Sequence, residues 1–131
     1  MTGFPGETEV EFEESRAFIE SLPFTYLHVF TYSERPGTPA AESAAQVPME
    51  VRKRRTRVLR DLSARKNMEF RETMIGRQLS AVTIEDGSSA LSGNYLKVTL
   101  ASRRMPNQIV NIKIGGISPA GLSEEGALSI I

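Results

Sequence analysis

NYLKVTLASRRMPNQIVNIKI, residues 94–114, decides the fold of the last third of the chain. Leu96, Val98 and Leu100 alternate with Tyr95, Lys97 and Thr99, and Val110, Ile112 and Ile114 alternate with Ile109, Asn111 and Lys113. A period of two marks strands with one buried face. Residues 78–85 read as another strand and residues 126–131 as a last one. Gly87, Gly93, Pro106-Asn107, Gly115-Gly116 and Gly121 read as the turns between them. Short strands at this spacing predict a small closed antiparallel β-barrel over residues 76–131, because closure leaves no exposed edge.

Upstream, residues 47–75 predict one long connecting helix. Pro48 suits the first helical position, the interior lacks glycine and proline, and Gly76 can close the end. At 1.5 Å per residue such a rod is about 40 Å long. Its apolar residues, Val51, Val58, Leu59, Leu62, Phe70 and Met74, are few. They predict a mostly solvated helix packed along a narrow stripe.

Residues 1–46 form the third part. Thr8-Glu9-Val10-Glu11 matches a capping box and opens a helix over residues 9–21, which Pro23 stops. Val10, Ala17 and Phe18 predict its apolar side, widened by Phe12 and Ile19. Residues 24–30, short, aromatic and β-branched, predict a strand. Glycine-rich turn, helix and strand follow the grammar of a βαβ unit, with the strand before Gly3 expected to be cut off at Met1. Residues 33–46 predict an ordered connection at their start and a linker at their end. The expected class is α+β.

The 131 residues carry no net charge, are 40% apolar and include no cysteine. Disulfides and thiolate metal sites within the chain are therefore excluded. No apolar run approaches the roughly 20 residues of a membrane span, and the N-terminus has no secretory-signal pattern, so a cytoplasmic protein is expected. The zero net charge hides segregation. Residues 1–47 carry 8 acids and 2 bases, and residues 48–74 carry 4 acids and 9 bases. This predicts that only part of the surface faces a polyanion.

GFPGET (residues 3–8), YLHVFTYSERPGTPA (26–40), VPMEVRKRRTRVLRDLSARKN (47–67) and LSGNYLKVTL (91–100) occur in an order that resembles the C-terminal third of MiaB-like tRNA methylthiotransferases. The branch acting on N6-threonylcarbamoyladenosine is most similar, with the isopentenyladenosine branch close behind. The resemblance implies a truncated remnant of a radical-SAM barrel (1–46), a basic connecting helix (47–75) and an OB-like TRAM barrel (76–131). It implies tRNA, through the anticodon arm, as partner. The family uses S-adenosylmethionine and two [4Fe–4S] clusters to methylthiolate the adenosine beside the anticodon. With no cysteine to hold a cluster, the chain is expected to be a fragment that is inactive alone, lacking the N-terminal catalytic domains.

Candidate residues follow. Gly3, Gly6 and Glu7 suit a cofactor in the full enzyme, or only a tight turn into a capped helix. Arg35, with Ser33 and Thr38, suits an active-site rim, or a loop fixed by pairing with Glu34 or Glu42. His28, the single histidine, reads as structural. Arg54 and Arg57 stand for RNA contact by the basic helix, where Lys53, Arg57 and Arg60 cluster and Arg52 and Arg55 lie on another side; a solvated connector explains the same charges. On the barrel, Tyr95 and Lys97 share a face with Thr99, and Arg77, Arg103, Arg104 and Lys113 add charge; this suits single-stranded RNA, or an ordinary polar exterior. No catalytic or metal-ligating residue is expected. The competing function is a structural fragment that braces a catalytic domain with negligible RNA binding. Exposed Phe24, Tyr26, Leu27 and Phe30 would then drive self-association through the truncated sheet.

Overall fold

The structure is a computed structural model that describes residues 1–127. The chain divides into two compact units, residues 1–67 and 68–131. Helix α1 is Glu9–Ser21, α2 is Pro39–Glu42 and α3 is Met49–Glu72. Five strands follow: β1 (Gln78–Ile84), β2 (Ser89–Ser92), β3 (Lys97–Thr99), β4 (Ile109–Ser118) and β5 (Gly121–Glu124).

In the first unit, the capping box of α1 is complete. The Glu11 amide donates to Thr8 Oγ1 at 3.2 Å, and the Thr8 amide donates to Glu11 Oε2 at 2.8 Å. The buried side of α1 differs from expectation. Phe12 is buried and Ile19 half-buried against Leu59 and Leu62 of α3, while Val10, Ala17 and Phe18 are exposed. Phe12 and Ile19 stand seven residues apart, two helical turns on one face. Val10 and Phe18 fall on another face.

The face that α3 buries is also not the expected apolar stripe. It consists of Arg52, Arg55, Thr56, Leu59, Leu62 and Ser63, whereas Val58 is exposed. The polar members of that face have partners at every turn, so they enter the interior without orphaned groups.

Residues 24–30 form no ladder-paired strand. The bridge Thr2↔Thr31 is the isolated parallel pairing in this region. An extended segment with one short partner cannot build a sheet, and α3 side chains satisfy its backbone instead. Ser63 Oγ accepts from the Leu27 amide at 2.9 Å, Arg60 donates to the Val29 carbonyl at 3.3 Å, and Asn67 donates to the Thr25 carbonyl at 3.2 Å. Alternation persists: Val29 packs inward, whereas Tyr26, His28 and Phe30 face outward as an aromatic row, Tyr26 edge-on to His28 and His28 stacked with Phe30. Phe24 and Leu27 are half-buried, which narrows the exposed patch expected there.

The expected linker is pinned. Thr38 caps α2, Gln46 donates to the Ala40 carbonyl at 2.7 Å, and the Gly6 amide donates to the Ala45 carbonyl at 2.8 Å.

The second unit is a closed barrel in the order β1-β2-β3-β5-β4. Its interior holds Val98, Ile112, Ile114 and Leu122, with Met74, Ala81, Ala90, Leu96 and Leu100 around them. The barrel is not wholly antiparallel, because β3 and β5 pair in parallel through Val98↔Leu122 and Thr99↔Ser123. Five strands cannot alternate direction all the way around a ring, so one like-directed neighbour is unavoidable. Gly115 and Gly116 are not a turn but lie inside β4 at a register shift. A Cβ on Gly115 would sit 2.6 Å from Glu125 Cα, so glycine admits close backbone approach there. Tyr95 is outside β3, in the β2–β3 turn with a φ of 63°. Of the last strand expected, residues 128–131 lie outside the described residues, and Gly126 and Ala127 are not strand.

Candidate nucleic-acid interface

The charge segregation of the sequence is largely consumed inside the first unit. Arg55, with a side chain 4% exposed, donates to Glu7 Oε1 at 2.7 Å and to the Glu7 carbonyl at 2.8 Å. It also donates to Glu9 Oε2 at 3.0 Å and lies over the Phe12 ring. Burial works against the charge on Arg55, but the bonds to Glu9 and Glu7 outweigh it and its pKa is raised. The same bond from Arg55, helped by Arg54, holds the Glu9 carboxyl below the ordinary glutamate range. Arg52 is equally buried. It donates to the Val47 carbonyl at 2.6 Å and to Glu34 and Gln46, each at 3.0 Å, and lies over the Tyr32 ring. Arg65 pairs with Glu20. Four arginines of α3 (Arg52, Arg54, Arg55 and Arg65) are thus bound to acids of residues 1–47.

The glycine turn is built into this network. Gly3 has a φ of 75°, and a Cβ there would lie 2.4 Å from Arg52 Cγ. The Gly3 amide donates to Glu7 Oε1 at 2.7 Å, so the Glu7 carboxylate is engaged by Gly3 and Arg55. Gly6, at a φ of 84°, is open on its Cβ side.

Ser33, Arg35 and Thr38 come together around one pocket of about 470 Å³, with Met1, Phe30 and Tyr32 among its walls. Arg35 makes no ion pair among the described residues; Glu34 turns to Arg52 instead. Thr38 is committed to the backbone, donating to the Arg35 carbonyl at 2.8 Å and accepting from the Ala41 amide. The Tyr32 hydroxyl is buried beside this pocket without a hydrogen-bond partner.

A second groove, of about 310 Å³, is lined by Thr31, Lys53, Thr56, Arg57, Arg60 and Asp61. Its floor is tied by hydroxyls: Thr56 Oγ1 lies 2.7 Å from Thr2 Oγ1 and 2.6 Å from Thr31 Oγ1. Arg57 is a candidate from the sequence. Lys53 and Arg60, grouped with it by helical spacing, join it here. Arg54 does not, because its guanidinium meets Glu9 at 2.9 Å.

On the barrel, Tyr95 is 84% exposed. It does not share a strand face with Lys97, since a left-handed turn residue has left the pleat. Lys97 meets Glu85 at 2.5 Å, Arg103 meets Asp86 at 2.6 Å, Lys113 meets Glu125 at 3.0 Å, and Arg104 pairs with Glu124. Lys97, with Ser89, holds the Glu85 carboxyl low; Ser88, with Arg103, does so for Asp86. Arg77 is exposed and unpaired among the described residues.

No group of three or more histidine, cysteine, aspartate or glutamate side chains could hold a metal ion among the described residues. Without cysteine, the chain supplies no ligands of the kind an iron–sulfur cluster needs. No described helix is long and apolar enough to cross a membrane.

No protein-family model matches the chain. Individual relatives do. The chain is 37% identical over 131 residues, its whole length and 29% of the relative's, to the threonylcarbamoyladenosine tRNA methylthiotransferase MtaB of Rickettsia prowazekii. It is 33% identical over 114 residues, 87% of the chain, to the MtaB of Aquifex aeolicus. Over most of its length the chain matches a C-terminal part of tRNA methylthiotransferases. The tRNA-2-methylthio-N(6)-dimethylallyladenosine synthase of a Wolbachia from Culex pipiens is 43% identical over 79 residues, 60% of the chain. Both substrate branches of the methylthiotransferases are therefore among the relatives. The chain spans under a third of the length of these methylthiotransferases, 28% of the Aquifex and 18% of the Wolbachia protein.

Proposed function

We propose that this chain is the tRNA-holding C-terminal portion of a tRNA methylthiotransferase, gripping the anticodon arm while the rest of the enzyme methylthiolates the modified adenosine. The observation that carries the reading is the match of the whole chain to 29% of the Rickettsia methylthiotransferase. In this reading residues 1–46 are the end of a radical-SAM barrel, residues 47–75 a basic connecting helix and residues 76–131 a TRAM-like domain. The five-stranded closed barrel supports the last assignment. S-adenosylmethionine and the two [4Fe–4S] clusters supply the radical and sulfur chemistry in the complete enzyme. This chain's thiol-free sequence does not fit the clusters. Gly3 and Glu7 are engaged inside the chain, which leaves the open side of Gly6 and, in the pocket, Ser33 and Arg35 toward S-adenosylmethionine or substrate.

Titration of the chain against a fluorescent anticodon stem-loop tests the reading. Binding that weakens as salt rises from about 0.05 to 0.2 M is expected. Absence of any salt-dependent binding would remove it.

A second reading has its own observation. The outward row Tyr26, His28 and Phe30, with Tyr26 61% and Phe30 63% exposed, suits a docking face toward another part of the enzyme. Large exposed aromatics in one row mark contact surfaces. Sedimentation showing self-association that Tyr26→Ser with Phe30→Ser abolishes is expected here. A wild-type monomer would count against it.

A further inference from the structure

We infer that the groove of Lys53, Arg57 and Arg60 is an RNA-backbone site of the chain. The inference rests on the tRNA-holding reading and says which surface does the holding. It starts from an inventory of charges. Arg16, Arg52, Arg54, Arg55, Arg65, Lys97, Arg103, Arg104 and Lys113 are each bound to a carboxylate of the chain. A cation already paired gains less from a phosphate, because its present partner must first be released. Lys53, Arg57 and Arg60 form no ion pair among the described residues, and they line one groove. Arg60 gives one bond, at 3.3 Å, to the Val29 carbonyl and keeps its other donors. Asp61, four residues after Arg57, also lines the groove without pairing, so three cations face one carboxylate. Like charges held together with too little counter-charge cost energy that a polyanion relieves.

The backbone beneath is stiff. Thr56 is fixed to Thr2 and Thr31, and the flanking helix positions Arg52 and Arg55 are buried in their own ion pairs. Positions 53, 57 and 60 of α3 are thereby presented at fixed spacing, and a phosphodiester entering the groove meets donors already in place. Thr31 belongs both to this groove and to the pocket of Ser33, Arg35 and Thr38. An RNA strand along the groove is therefore led toward Arg35, a further unpaired cation.

The test compares variants of the full chain with the wild type in the stem-loop titration, from about 0.05 to 0.3 M salt. Lys53→Ala/Arg57→Ala/Arg60→Ala should lose at least about tenfold in affinity, with the log–log salt slope falling by about two. Arg54→Ala, which removes an α3 charge already bound to Glu9, should lose under about threefold. Lys53→Arg/Arg57→Lys/Arg60→Lys should keep wild-type slope, which separates charge from fold, and Arg57→Ala alone should remove about a third of the slope change. Unaltered affinity and slope in both groove variants that lack charge would overturn the inference while leaving RNA binding intact. An Arg54→Ala loss as large as that of the triple groove variant would overturn it too. Failure of the wild-type chain to bind would overturn the tRNA-holding reading itself, and the inference with it.

Discussion

Residues 1–67 bury Arg52, Arg55, Glu7, Thr2, Thr56 and Ser63 around a small apolar kernel of Phe12, Leu59 and Leu62, whereas the barrel buries Val98, Ile112, Ile114 and Leu122 with no charged residue among its described buried ones. The first interior is held by complementarity of charge and hydrogen bonds, each dependent on a particular partner. The second is held by apolar area, which tolerates change as long as volume is kept. The barrel also closes on itself, whereas the first unit leaves an aromatic row outward. An interior of the first kind is brittle: a lost partner leaves a buried charge, and that costs more than a lost methyl group.

The largest effect expected is therefore in the first unit. Arg55→Ala strips the nearly buried Glu7 carboxylate of its cation and should cost about 3–5 kcal/mol. Amide hydrogen exchange should show protection lost across residues 1–67 and retained in the barrel. Equal loss in both units would break the contrast. Next is Ile112→Ala, a fully buried barrel position, at about 3 kcal/mol, with the pattern of protection reversed. Thr8→Ala, which removes the capping box, should cost about 1 kcal/mol by urea denaturation, confined to α1.

The smallest effect is a pH dependence. The Glu9 and Glu20 carboxyls are held low by arginines, so their folded pKa values lie beneath the unfolded ones. Their contribution is present above the ordinary glutamate value, about 4.3, and is lost as pH falls through the lowered folded values. A drop of a few degrees in the melting temperature of the first unit between about pH 5 and pH 3 is expected. Substituting Glu9→Gln should flatten the part of that drop due to Glu9.

The same contrast explains what could be read from the sequence. Helix α1 was legible to the residue because caps are local: Thr8, Glu11 and Pro23 act within a few positions of one another. The alternation of Leu96, Val98 and Leu100, and of Ile112 and Ile114, announced buried faces that the barrel then fills. What failed was non-local. Ser89-Ala90-Leu91-Ser92 has no β-branched residue and becomes a strand only because β1 and β3 flank it. Gly115 looks like a turn until Glu125 is seen lying against it. For the candidate site, spacing alone grouped Lys53, Arg57 and Arg60 and put Arg52 and Arg55 elsewhere. It could not show that the latter are spent on Glu7, Glu9 and Glu34, more than 15 residues away, nor that Lys97 is spent on Glu85. A count of basic residues overstates a polyanion surface wherever acids elsewhere in the chain have claimed them.

The parallel seam of the barrel has a mechanical corollary. β3 and β5 are stitched by two residue pairs, against five between β1 and β4, and Gly121 at the start of β5 comes so near the Lys97 carbonyl that a Cβ would lie 2.3 Å from it. Under load, the ring should part at that short join first, unrolling into a five-stranded ribbon β3-β2-β1-β4-β5 with β5 still attached to β4, like a bracelet opening at its clasp.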